Sequence, residues 1–125
     1  MTAINTLVLL TILFLKHFII DFLWQGPYQY KNKGTYGHPG GLLHSGLHAV
    51  GTFFALWVCL PWAGPTIMLM SVIEFSIHYH VDWAKMNINK LLNWKPDTHE
   101  QFWWLLGFDQ LLHSLTYIGM IFFLI

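Results

Sequence analysis

The chain has no arginine, one cysteine and little charge of either sign. Charged residues make up 10% of its 125 positions, against roughly 25% in an ordinary soluble domain. Six lysines balance six acidic groups, so the formal net charge is zero with histidine neutral. A neutral chain without arginine offers no electrostatic footprint to a phosphate backbone, which excludes nucleic acid as a partner. Cys59 stands alone in an apolar run, so one chain can build neither a disulfide nor a CxxC metal site, and the thiol reads as a small buried hydrophobe. The N-terminus lacks the basic start and small-residue cleavage site of a signal peptide, so residues 3–15 read as part of a retained helix.

What is abundant is apolar surface. Hydrophobic residues reach 55%, with seven Trp and ten Phe, and mean hydropathy is +0.48. This composition predicts an all-α membrane protein, one transmembrane domain over residues 1–125. Four runs are long enough to cross a hydrocarbon layer of about 30 Å: roughly 2–24, 41–62, 66–83 and 101–125. Gln25-Gly26-Pro27 ends the first run, because Gly and Pro break helices. The loop after it carries Lys31 and Lys33, with Tyr28, Tyr30 and Tyr36 suited to a membrane–water interface. Pro61 to Pro65 forms a tight turn. Residues 84–95 mix Met86, Ile88, Leu91, Leu92 and Trp94 with Lys85, Lys90 and Lys95, which predicts a separate amphipathic helix lying in the interface. Asp97 or Thr98 is suited to cap the last span.

Ionisable groups recur at helical spacing inside these runs. Glu74, His78 and Asp82 are spaced i, i+4, i+8 and form one stripe on a helix. The same spacing gives His17/Asp21, His44/His48 and Asp109/His113. Four alternating spans bring these groups together: the pairs lie late in the first and third spans and early in the second and fourth. All nine therefore fall in one half of the membrane. The six lysines (16, 31, 33, 85, 90 and 95) lie on that side too, which by the positive-inside rule makes it cytoplasmic and leaves both termini extracytoplasmic in a bacterial inner membrane.

Ionisable groups inside a membrane are costly, and they commonly mark functional sites. Imidazole and carboxylate together suit a divalent transition metal, zinc foremost and iron or manganese as alternatives, in one or two ions. The expected ligands are His17, His44, His48, His78, Asp82, Asp109 and His113, with Glu74 or Asp21 as general base or as an outer partner that supports a ligand. His38, His80 and His99 fall outside the cluster. Carboxylate-bridged dimetal bundles use a similar device, with Glu-x-x-His at i, i+3 in place of i, i+4. A metal-bound water would supply a nucleophile near neutral pH. The preferred reading is a metal-dependent hydrolase acting at the cytoplasmic face on a membrane lipid or another amphiphile, with Lys31, Lys33 and Lys85 available for a phosphate. The alternatives are a metal-stabilised or structural membrane protein acting through a partner, its polar groups gluing the helices, and a transporter or channel built as a homo-oligomer.

Four blocks carry a resemblance: KHFIIDFLWQ at 16–25, LLHSGLH at 42–48, EFSIHYHVDWAK at 74–85 and FDQLLH at 108–113. Together they resemble a family of small bacterial and phage membrane proteins known only as a domain of unknown function, and the likeness covers nearly the whole chain. That family implies no activity. A looser likeness, in residue type and spacing, is to membrane-bound metal-dependent hydrolases.

Overall fold

The structure, a computed structural model, describes residues 1–124. They form α1 (Ala3–Phe18), a π-helical turn (Ile19–Leu23), the short α2 (Pro27–Tyr30), α3 (Pro39–Cys59), α4 (Gly64–Leu92) and α5 (Glu100–Leu124). The four long helices make a closed bundle in which α1 and α4 each pack on both α3 and α5. The fold is all-helical, with no strand among the described residues.

Local chemistry sets the ends. Thr2 caps α1 by accepting the Asn5 N–H, which satisfies a donor that the first helical turn leaves open. The π-turn closes with the Trp24 N–H donating to the Ile19 carbonyl at 2.9 Å, and the Gln25 side-chain amide takes up the Asp21 carbonyl. His38 caps α3 by accepting from the Gly40 N–H, and Pro39 occupies the first turn, where its missing N–H costs nothing. α4 ends at Asn93, whose φ of 51° is left-handed, a stop that asparagine tolerates.

The expected spans coincide with helices, but residues 84–92 are not a separate helix. They continue α4 without a break, because no glycine or proline separates Thr66 from Lys95 and nothing local stops the helix. Three helical stretches are long and apolar enough to cross a membrane: Ala3–Leu23, Pro39–Cys59 and Glu100–Leu124. α4 has the length, but its charged residues lower its hydropathy. Ile125, the end of the last expected span, lies outside the described residues.

The bundle has two ends of opposite character. At one end Leu9, Leu13, Leu56, Ile67, Met70 and Ile121 form an apolar core. At the other end the nine stripe residues turn inward. Large apolar side chains such as Leu7, Phe54, Val72 and Phe122 face outward, far more than single scattered exposures account for, and a lipid surround would satisfy them.

The loop between α2 and α3 is clamped onto the polar end. A Cβ at Gly40 would overlap the Tyr28 carbonyl oxygen, and one at Gly41 would lie 3.1 Å from the Lys33 Cα. Gly40→Ala should therefore destabilise the protein by about 1–3 kcal/mol, the usual cost of overpacking, and loosen the loop. Thermal melting in detergent and the rate of tryptic cleavage after Lys31 check this; unchanged values for both would show that the clamp yields freely.

Candidate metal centre

The structure gathers all nine stripe residues at the polar end, each between 0% and 7% exposed. Helix phase explains the gathering: i, i+4 pairs on four neighbouring helices face one axis. Asp21 reaches it from the π-turn, His44 and His48 from α3, Glu74, His78 and Asp82 from α4, and Asp109 and His113 from α5.

Two groups of donor atoms have metal-binding proximity, each within 4.8 Å of one another. The first is Asp21, His44, His48 and His78; the second is His78, Asp82 and His113. Asp21 Oδ1 lies 3.0 Å from both His44 Nε2 and His48 Nε2 and 3.8 Å from His78 Nε2. His78 Nε2 and His44 Nε2 are 3.3 Å apart. Ligand bonds of about 2.0–2.1 Å in a tetrahedron put ligand atoms roughly 3.3 Å from one another, so the spacing fits one ion. Two imidazole nitrogens that close share one proton in a hydrogen bond or face one cation.

The Gln29 amide oxygen lies 3.1 Å from His44 Nδ1, the outer side of the ring, while His44 Nε2 faces Asp21 at 3.0 Å. Such an outer hydrogen bond is the usual support of a metal-bound histidine.

The surrounding contacts give each of the other expected residues a definite place. His17, expected as a ligand, falls outside both donor groups. Its Nε2 is 3.1 Å from Asp21 Oδ2 and 3.0 Å from Gln110 Oε1, while Nδ1 meets the Tyr117 hydroxyl at 2.9 Å. Asp21, expected as a base, sits instead at the centre of the first donor group. Glu74, the other expected base, stands behind His48: its Oε1 is 3.9 Å from His48 Nδ1, the nitrogen facing away from Asp21. Glu74 is engaged there by the Lys16 ammonium and by the Tyr117 hydroxyl, which donates at 2.8 Å.

Lys33 also has a different place from the one expected. It is buried, and its ammonium lies 2.9 Å from Asp82 Oδ2, so it offers no free charge to a substrate. Burial opposes its charge, but Asp82 outweighs that and holds the ammonium above its ordinary pKa. Lys85 lies 3.8 Å from Asp109 and remains partly exposed at the rim, and Lys31 is exposed.

His38, His80 and His99 all lie away from the cluster. His38 is the α3 cap, His80 bonds the Ser76 carbonyl and the Tyr36 hydroxyl, and His99 bonds the Lys95 N–H. Lys16, Gln29, Gln110 and Tyr117 are site residues that the spacing argument missed. For Tyr117 a signal existed: it continues the Asp109/His113 stripe at i+8.

The buried His/Asp groups have the donor atoms and spacing to hold a metal ion, and three helices among the described residues are long and apolar enough to cross a membrane. The chain belongs to the family described as protein of unknown function DUF3307, whose model matches residues 9–125. No curated protein and no solved structure matches it.

Proposed function

We propose that this is a four-span membrane protein with a metal centre at its cytoplasmic end, acting as a metal-dependent hydrolase on a lipid or a similar amphiphile. The observation that carries the metal reading is the buried group of Asp21, His44, His48 and His78, with Gln29 holding the outer nitrogen of His44. When bound, the metal would polarise a phosphoryl or carbonyl oxygen and supply an ionised water. Glu74 and Tyr117 hold the outer side of His48 and His17, so their part is to fix ring orientation and charge. The six lysines orient the polar end toward the cytoplasm.

The lipid reading is supported by the crevice between α4 and α5. An apolar groove of about 600 Å3 includes Ile77, Val81, Leu112 and Leu115. A second, of about 260 Å3, shares Val81 and Leu112 and reaches Lys85 and Asp109 at the polar end. An acyl chain laid along this crevice would place its headgroup beside the centre.

Protein purified in detergent should contain a transition metal by elemental analysis, lose it to a chelator, and hydrolyse a phosphorylated amphiphile in mixed micelles only when reloaded. Metal without turnover across such a panel would favour the non-enzymatic reading, and protein without metal would remove both.

A further inference from the structure

We propose that the centre binds two ions, bridged by Asp82, the second held by Asp82, Asp109 and His113. This rests on the metal reading above and extends it. The two donor groups share His78, yet a neutral imidazole has a single lone pair on Nε2 and can serve one ion. If His78 completes the set of Asp21, His44 and His48, the remaining atoms must be accounted for separately.

Those atoms are Asp82 Oδ1, Asp109 Oδ1 and His113 Nε2. Each is buried and has no hydrogen-bond partner. His113 Nε2 nonetheless lies 3.2 Å from Asp109 Oδ1 and 3.5 Å from Asp82 Oδ1. Both are ion-pair distances. Buried polar groups are rarely left unpaired, and each one costs about 1–3 kcal/mol. Two unpaired carboxylate oxygens within 3.5 Å of one unpaired imidazole nitrogen make a donor set of the kind a divalent cation takes.

Asp82 ties the two positions together. Its Oδ2 faces the first set, 3.3 Å from His44 Nε2 and 3.5 Å from His78 Nε2, while its Oδ1 faces His113. A carboxylate with one oxygen toward each set can bridge two ions about 3.5–4 Å apart, the separation found in two-metal hydrolytic sites. Lys33 occupies the flank of Oδ2 at 2.9 Å and fixes the plane of the bridge.

The test uses the full chain in detergent, saturated with Zn2+ or Mn2+ and freed of loose ion by gel filtration. Wild type should hold two ions per chain by elemental analysis. Asp109→Asn and His113→Gln should each hold one, and the Mn2+ form of wild type should show an exchange-coupled magnetic resonance signal that these variants replace with an isolated Mn2+ signal. A variant that misfolds does not remove the test, since the wild-type ratio and spectrum stand alone. One ion per saturated wild-type chain, with an isolated Mn2+ signal, would overturn the second position and leave the single-metal reading intact. No retained ion would overturn both.

Discussion

Glu74→Gln should lower the melting temperature sharply, and adding Lys16→Met should restore most of the loss. Lys16 and Glu74 form an ion pair whose side chains are 10% and 1% exposed. The pair lies between the donor atoms and the apolar core, with the Lys16 ammonium also donating to the His48 carbonyl at 2.9 Å. Removing one partner of a buried pair leaves an uncompensated charge and typically costs about 3–5 kcal/mol, whereas replacing both with groups of similar size is close to neutral. Metal content separates the effects. Glu74 is not among the donor groups, so the double variant should keep its metal. Its hydrolytic rate tells whether Glu74 also takes part in chemistry: a well-folded, metal-loaded double variant with full activity would place Glu74 in a structural role alone. Equal stability of the single variant and wild type would show that Lys16 does not need its partner.

His44→Ala and His78→Ala should abolish the stability that metal confers. A ligand bound only by the folded state adds about 4 kcal/mol at a thousand times its Kd. The quantity to compare is the difference in melting temperature between metal-saturated and chelated protein. It should be large in wild type and near zero in both variants, because each loses a fully buried donor. His38→Ala should lose roughly 1 kcal/mol with its helix cap and keep the metal-dependent difference. His99→Ala should keep it as well. The same difference in all four variants would dissolve the distinction between cluster and bystander histidines.

The composition and the pair spacing carried the architecture a long way. Apolar runs mark the helices, and the alternation of direction places the pairs at one end. What spacing could not show was the second layer of contacts. Lys16 reads as one more lysine near a helix end, and only the packing of α1 on α3 and α4's approach turn it toward Glu74. Gln29, in the one-turn α2, and Lys33, in the loop after it, lie in a stretch with no sequence periodicity, so their aim into the cluster depends on the close approach at Gly40 and Gly41. The π-turn was equally hidden, because 19–23 reads as continuous α-helix. The separate helix expected over 84–95 is absent for a different reason. A change from apolar to mixed composition after Trp83 marks a change of surroundings, and without a Gly or Pro it does not end a helix.

The charge that α4 carries bears on how such a protein reaches its membrane. α4 lies outside the set of helices apolar enough to cross by themselves and carries Glu74, Asp82 and Lys85, while α3 brings only neutral-capable histidines. In the four-span reading, α4 partitions into lipid poorly as a lone segment and well once its polar stripe is covered. Its largest partner is α3, joined to it by the short turn of residues 60–63. The two helices therefore suit insertion as a preformed hairpin, with α3 acting as the escort that lets a costly helix leave the translocation machinery.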